Sequence, residues 1–392
     1  MDVNFETDIS KQIIYLGDES FTAADAIAGP DGTSHLEQLM ISRHGVSSFE
    51  HDLAVFLRQW FDSSDVIKVK TSGSTGVPKV IMVEKERMMN SARLTLSFLG
   101  LNNGDSALLC MPLGYIAGKM MVVRALTGGL KLLLVPPCSN PAAELHDDTD
   151  VSFAAMIPMQ VINGLADPDS ARRLKAVEHL IIGGGAVESD LAAQLASFEG
   201  AVWSTYGMTE TLSHIALRRL SGPEASSWYT PFDQVTLTAG EDNTLTVNAP
   251  LVNSSVLETN DIVEFNDAGQ FRILGRRDNV INSGGVKLQI EEIEQWLNSR
   301  IRELSSEHPR LRGCQSMVSS RPDHQFGYIA VMLYQLPDTE ADLNEEELEL
   351  LFTDIPKYWK PRALVRVPQL PLTGTGKPDR VAARSMAARD DQ

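Results

Sequence analysis

The chain has 392 residues, 43% of them apolar and 22% charged, with a formal net charge of −18. That length exceeds what one hydrophobic core usually organises, so two or more domains are expected, and the apolar content suits a globular protein. The acidic balance excludes a nucleic-acid backbone as the main partner, and no apolar run reaches the ~18–20 residues of a membrane span.

Residues 1–20 carry early acidic groups and no apolar stretch, so no signal peptide is expected there. Cys110, Cys138 and Cys314 are too widely separated for a disulfide framework or a zinc spacing, which predicts buried reduced thiols in a cytoplasmic protein. The first chemically pointed segment is Lys70-Thr-Ser-Gly-Ser-Thr-Gly-Val-Pro-Lys79. Gly73 and Gly76 let backbone N–H groups approach phosphate oxygens, Thr71, Ser72, Ser74 and Thr75 add hydroxyl donors, and Lys79 adds a point charge. It differs from the G-x-x-x-x-G-K-[ST] nucleotide loop, because Pro78 precedes Lys79 and apolar Val80-Ile-Met-Val83 follows. Alone, the decamer reads either as a phosphate cradle or as a solvated Ser/Gly turn between strands.

From about residue 65 to 220, short apolar segments alternate with segments of helical length. Ala107–Cys110, Leu130–Val135, Phe153–Ile157 and His179–Ile182 read as buried strands, and Glu84–Leu99 and Glu188–Phe198 as helices. That alternation predicts an α/β domain with mostly parallel sheets covered on both faces. Residues 230–275 switch to period-two alternation between Gly, Asn and Asp turns, as expected of a small antiparallel β unit. A boundary is expected at Arg276-Arg-Asp278, giving a large domain over 1–276 and a small α+β domain over 277–392. In the latter, Ile290, Ile293 and Leu297 share a helix face, Tyr328–Tyr334 reads as a strand, and the acidic run Asp338–Glu349 as a solvated helix face.

Four further segments follow the decamer in order: Tyr206-Gly-Met-Thr-Glu210; Thr259-Asn-Asp261; Gly275-Arg-Arg-Asp278 with Ser283-Gly-Gly285; and Pro371-Leu-Thr-Gly-Thr-Gly-Lys377. With Thr71–Lys79 they resemble the superfamily of AMP-forming acyl-CoA synthetases, adenylation domains and luciferases, over about residues 66 to 380. Within it, Met111–Arg124 and Tyr206–Ile215 are most similar to the o-succinylbenzoate–CoA ligases of menaquinone biosynthesis. The resemblance implies ATP and CoA as substrates, Mg²⁺ as cofactor, and ligation of an acid to CoA through an acyl-adenylate.

By the same resemblance, Thr71–Gly76 and Lys79 hold the β- and γ-phosphates, Thr209 contacts the α-phosphate, and Glu210 is the metal residue. Gly183, Gly184, Gly185 and Ala186 line the adenine, with Tyr206 and Gly207 beside it. Asp261 and Arg276 contact the ribose, Asp278 is the hinge, and Ser283, Gly284 and Gly285 shape the thiol channel. Lys377 bridges the acyl carboxylate and the α-phosphate during adenylation. Taken from the residues alone, the three glycines read equally as a turn, Asp261 and Arg276 as a surface ion pair, and Lys377 as a solvated lysine. Arg124, set among Met120, Met121, Val122 and Val123 on a predicted helix, needs an anionic partner. It matches an arginine that binds substrate carboxylate in these ligases, against the alternative of a structurally paired arginine. Ser213, His214 and Lys119 are further acyl-pocket candidates, with His214 reading equally as a satisfied core or rim histidine.

Two departures stand out. Tyr115 replaces a histidine common in the family, and residues 1–65 are fewer than usually precede the phosphate loop, so part of the usual large domain is expected to be trimmed. The alternatives are another aryl- or acyl-CoA ligase, an adenylation enzyme loading a carrier protein, and a non-catalytic nucleotide-binding module. The sequence leaves homo-oligomerisation open.

Overall fold

The computed structural model describes residues 5–29, 32–70, 80–337, 342–373 and 378–388. Its contacts divide the chain into two units, the first comprising Met1–Leu237, Val247–Leu257 and Asn266–Phe271, the second Thr238–Thr246, Glu258–Phe265 and Arg272–Gln392.

The first unit is built on a nine-stranded sheet, counted among the described residues. Its middle is parallel, in the order Ala201–Gly207, His179–Ile182, Phe153–Met156, Ser106–Leu109, Lys131–Leu134 and Ile13–Leu16. Antiparallel strands close the edges: Glu19–Thr22 on one side, His214–Arg219 and Thr230–Pro231 on the other. The central strands are near-continuous apolar runs such as Leu180-Ile-Ile182, because helices bury both faces. The four buried strands expected from the sequence are present, displaced by a residue at most ends.

The Ile116–Gly128 helix is the most enclosed element. Every residue from Gly118 to Gly128 is buried, so it lacks the polar face of a surface helix. It begins hard against the preceding turn: a Cβ on Gly118 would lie 2.5 Å from the Pro112 carbonyl oxygen. The chain leaves it through Gly129 at φ +65, a left-handed cap that suits glycine. The Lys85–Leu99 helix packs along it, burying Met88, Ala92 and Leu96 together with Ser91 and Thr95.

A four-stranded sheet of Thr236–Ala239, Thr244–Asn248, Leu257–Phe265 and Phe271–Arg276, adjacent in chain order, realises the period-two segment. Most of its residues belong to the second unit. That unit also pairs Gln315–Asp323 with Gly327–Gln335, flanked by Ala363–Arg366 and the Val280–Gln289 hairpin. One apolar cluster, with Ile293, Leu297 and Ile301 of the Ile290–Ser305 helix, covers one face; a second, with Ala383 and Ala387 of the Arg380–Ala387 helix, is separate from it.

Two expectations need correction. Cys110 and Cys314 are buried, and burial pushes their thiols up to about 12 and about 11, but Cys138 is exposed. In the acidic run, Glu347 is buried rather than solvated: it closes a capping box with Asn344 and pairs with Arg310 at 3.2 Å. No helix among the described residues is long and apolar enough to cross a membrane.

Candidate active site

Because Phe153–Met156, His179–Ile182 and Ala201–Gly207 are parallel neighbours, their C-terminal ends open on one edge of the sheet. Ligands of open parallel sheets bind outside such edges. Gly183-Gly-Gly-Ala186 leaves the middle strand there. A Cβ on Gly183 would lie 2.6 Å from Thr205 Oγ1, and Gly184 has φ +80, so close approach and backbone sign both call for glycine. The next strand carries Tyr206 one residue before its end, and its buried ring stands edge-on to Phe271 at 5.1 Å and Tyr229 at 6.1 Å between centroids.

The turn that follows carries polar groups in two directions. Thr209–Thr211 form one 3₁₀ turn, with Thr209 half-buried and Glu210 exposed. The fully buried Thr211 hydroxyl accepts from the Met208 N–H at 3.0 Å and donates to the Ser213 carbonyl at 2.8 Å. Leu212 takes φ +64, an uncommon conformation for a branched side chain, and reverses the chain. Gly207 permits that reversal, since a Cβ there would lie 2.4 Å from the Ser213 carbonyl oxygen. Glu210 is thereby left in solvent while Ser213 reaches inward to Arg124.

Arg124 is 2% exposed and has no carboxylate partner among the described residues. Among the described residues, its Nη2 donates to Ser213 Oγ at 2.6 Å, its Nη1 meets only Met121 Sδ at 3.7 Å, and its buried Nε has no hydrogen-bond partner. The guanidinium lies 6.0 Å from the Phe153 ring centre. Burial pushes Arg124 down to about 9, which still leaves it charged at neutral pH. Ser213 Oγ lies 3.2 Å from His214 Nδ1, and His214 Nε2 lies 3.0 Å from Thr95 Oγ1. Burial, then the charge of Arg124, hold this imidazole well below its usual range. Both His214 nitrogens are thus engaged within the protein. Lys119 is also buried, its ammonium 5.0 Å from the Phe56 ring centre, and burial lowers its pKa. Thr95 was not singled out in the sequence; the available signal was a hydroxyl pair, Ser91 and Thr95, set among Met88, Ala92, Leu96 and Leu99 on one face of an amphipathic helix.

The second unit gathers three more candidates. Arg276 Nη1 pairs with Asp261 at 3.0 Å, while its Nε and Nη2 grip the Asp278 carboxylate at 2.9 and 3.1 Å. Burial raises the Asp278 carboxyl, but the hydrogen bond and charge of Arg276 outweigh it and keep it below its ordinary value. The Asp278 carbonyl accepts from Arg384 Nη2 at 2.9 Å. Ser283 pairs with Val286 across a two-residue hairpin turn, whose Gly284 and Gly285 have φ +57 and +83. Tyr115, at the position of the expected histidine, is 46% exposed. Thr71–Gly76, Lys79 and Lys377 lie outside the described residues.

Comparison with known proteins places this arrangement. The family model of AMP-binding enzymes matches residues 60–244. The 2-succinylbenzoate–CoA ligase of Salmonella typhimurium is 27% identical over 309 residues, 75% of this chain and 63% of that one, so the chain spans a little under two thirds of that relative. A probable 2-succinylbenzoate–CoA ligase of Mycobacterium tuberculosis is 27% identical over 359 residues, 86% of this chain and 89% of that one. Among solved structures, an acyl-CoA synthetase (AMP-forming)/AMP-acid ligase II-like protein from Dyadobacter fermentans is 32% identical, with a TM-score of 0.57 over 86% of this chain and 93% of that one. A sheet edge with a glycine loop and an acidic turn, and a likeness that spans nearly all of a family member, agree that this chain belongs to the AMP-forming acyl-CoA synthetase family of AMP-binding enzymes.

Proposed function

We propose that the chain is an ATP-dependent, AMP-forming acid–thiol ligase whose acid carries a second carboxylate, with o-succinylbenzoate as the acid and CoA as the thiol. The observation that carries this reading is Arg124, a buried guanidinium with no carboxylate partner among the described residues, tied through Ser213 to the turn that bears Thr209 and Glu210. An unpaired buried charge costs several kcal/mol, so an enzyme that keeps one gains most from a substrate that brings the counter-charge. Ligases with 2-succinylbenzoate in their names among the relatives support the same acid.

The chemistry has two stages. The acid's reacting carboxylate attacks the α-phosphorus of ATP, the bond to pyrophosphate breaks, and an acyl-adenylate forms. The thiol then attacks the acyl carbonyl, a thioester forms, AMP leaves, and the thiol proton is released. We assign the β- and γ-phosphates to Thr71–Gly76 and Lys79, the α-phosphate to Thr209, the adenine to Gly183–Ala186 and Tyr206, and the ribose to Asp261 and Arg276. Lys377 would neutralise the charge that builds between carboxylate and α-phosphate, Asp278 would be the hinge, and Ser283–Gly285 would shape the thiol's approach. For Mg²⁺, the described residues offer no cage of three His, Cys, Asp or Glu side chains, but Glu210 presents one exposed carboxylate with no ion pair. That suits an ion which takes one or two protein carboxylates plus phosphates and water, and which screens phosphate charge when bound. We place the enzyme in the cytoplasm as part of the same proposal.

A panel of mono- and dicarboxylic aryl acids, scored by pyrophosphate release and repeated with CoA and with a carrier protein, tests the reading. The expected result is preference for o-succinylbenzoate and thioester formation with CoA. A monocarboxylic acid preferred over every dicarboxylate would overturn the acid assignment, and a thioester formed only on the carrier protein would overturn the thiol.

A further inference from the structure

The hydrogen-bond chain running inward from Arg124 takes a defined direction when Thr95 is back-bonded to its own helix. Thr95 sits in the Lys85–Leu99 helix and donates its hydroxyl proton to the Ser91 carbonyl at 3.3 Å, the back-bond of a mid-helix threonine. With that proton kept on the helix, Thr95 Oγ1 faces His214 Nε2, 3.0 Å away, as an acceptor, which selects the tautomer with the ring proton on Nε2. A ring kept neutral by burial then has Nδ1 bare, and Nδ1 accepts from the Ser213 hydroxyl at 3.2 Å. Ser213, its proton directed at the imidazole, turns a lone pair to Arg124 Nη2 at 2.6 Å. Each group in the series has one role left by its neighbour. The far end is held by the helix backbone, and the His214 ring is fixed edge-on to Phe232 at 5.4 Å between centroids.

We infer that Thr95 and His214 are positioning residues for the acid, holding Ser213 as an acceptor so that the Arg124 guanidinium is anchored at one amino group and keeps its remaining N–H donors for the substrate's non-reacting carboxylate. The inference rests on the proposed reading of Arg124 and deepens it: specificity for a second carboxylate depends on a threonine that touches neither substrate nor arginine. With the chain intact, Arg124 is oriented through one strong hydrogen bond. Without the Thr95 acceptor, His214 is free to take the other tautomer, and Ser213 Oγ then accepts from Nδ1–H with one lone pair and from Arg124 with the other, which turns the hydroxyl and shifts the point at which the guanidinium is held.

The test compares o-succinylbenzoate with a monocarboxylic analogue lacking the second acid, in the full-length enzyme. Thr95→Val keeps the shape and removes the hydroxyl. It should raise KM for o-succinylbenzoate by roughly 5- to 10-fold, the scale of one misdirected hydrogen bond to a charged group, with kcat and the ATP KM within about twofold. The monocarboxylic analogue should be unaffected, and Thr95→Ser should restore the wild-type KM. Equal loss with both acids, or no loss with either, overturns the positioning role. Arg124→Met, assayed in parallel, separates the two levels: if it discriminates between the acids and Thr95→Val does not, the relay fails while the reading of Arg124 stands; if Arg124→Met does not discriminate, that reading itself fails. Should Thr95→Val fail to fold, ¹⁵N spectra of histidine-labelled wild-type enzyme at pH 6–8 decide the matter, with the His214 signals assigned by their loss in His214→Phe. The relay requires a protonated Nε2 and a bare Nδ1, and the opposite tautomer overturns it.

Discussion

Arg124 in the first unit and Arg276 in the second both have a side-chain carboxylate or hydroxyl within hydrogen-bond reach, yet their charges are in opposite situations. Arg276 is about half exposed and already serves two carboxylates, Asp261 and Asp278, one of them through paired hydrogen bonds. Arg124 is enclosed by apolar residues and holds one serine oxygen. The first arrangement gains little net free energy, since exposed ion pairs are worth about 0–1 kcal/mol. The second leaves a buried charge without a counter-charge among the described residues, a cost that the acid's second carboxylate would offset on the proposed reading. The difference teaches that, on the proposed reading, an arginine awaiting a buried carboxylate is marked by the hydrogen-bond donors it leaves unused, whereas one at an exposed contact need not be.

The comparison sharpens first against a third cation. If Lys377 acts on charge that develops only during adenylation, Lys377→Ala should lower ATP-dependent product formation by roughly 10²–10³-fold while conversion of a supplied acyl-adenylate with CoA survives. Equal loss in the two assays would reject a role confined to the first stage. Arg124→Met comes next, because it removes the cation at similar volume: kcat/KM for o-succinylbenzoate should fall roughly 30- to 150-fold, with the ATP KM unmoved. Activity on the monocarboxylic analogue should hold or rise, and the thermal midpoint should rise as an unpaired buried charge is lost. A fall in midpoint would mean that Arg124 is a structural residue and would erase the contrast with Arg276.

Arg276→Met should behave in the opposite sense. Its ion pairs are partly exposed, so stability should change by no more than about 1 kcal/mol, while the loss of a proposed ribose contact raises the ATP KM by roughly 5- to 30-fold. An acid-dependent effect larger than the effect on ATP would show that the two arginines had been assigned to the wrong ligands. The smallest effect concerns pH. His214 has its pKa depressed below 6.5 by burial first and by Arg124 second. Above pH 6.5 the ring is neutral in folded and unfolded chains alike and contributes nothing. Below it the unfolded chain takes up a proton that the folded chain refuses, so stability is lost as pH falls, by at most about 1.4 kcal/mol per pH unit. Denaturation of wild type and His214→Phe between pH 5 and 7.5 should show a shallower acid limb in the variant; parallel limbs would mean that the imidazole titrates normally.

The parallel sheet was legible because its strands are runs such as Leu180-Ile-Ile182, too apolar for anything but a doubly covered position, and because glycine and acidic turns punctuate their ends. Arg124 was legible because a guanidinium within Met120–Val123 violates the local pattern. The direction of its support was not. Thr95 and His214 are 119 positions apart, and nothing local to either tells which tertiary partner its hydrogen bond will find. The same limit explains Glu347, which sits in an acidic run yet is drawn inside by Arg310. Cys138 escaped for the converse reason: the segment around it gave no amphipathic period from which exposure could be read.

The absent side chain of Gly207 bears on how such an enzyme could change its diet. One carbon atom there would press on the Ser213 carbonyl and shift the turn that presents both Glu210 and Ser213. On the proposed reading, backbone change at this corner would therefore disturb nucleotide and acid together. On the proposed reading Thr95, Arg124 and His214 serve the acid from a helix, a second helix and the strand that follows the turn, and their side chains can change without a change in the backbone of the corner. On that reading, new acid preferences are more accessible through these three side chains than through the Tyr206–Glu210 motif, and a library confined to them is the shorter route to a changed acid preference.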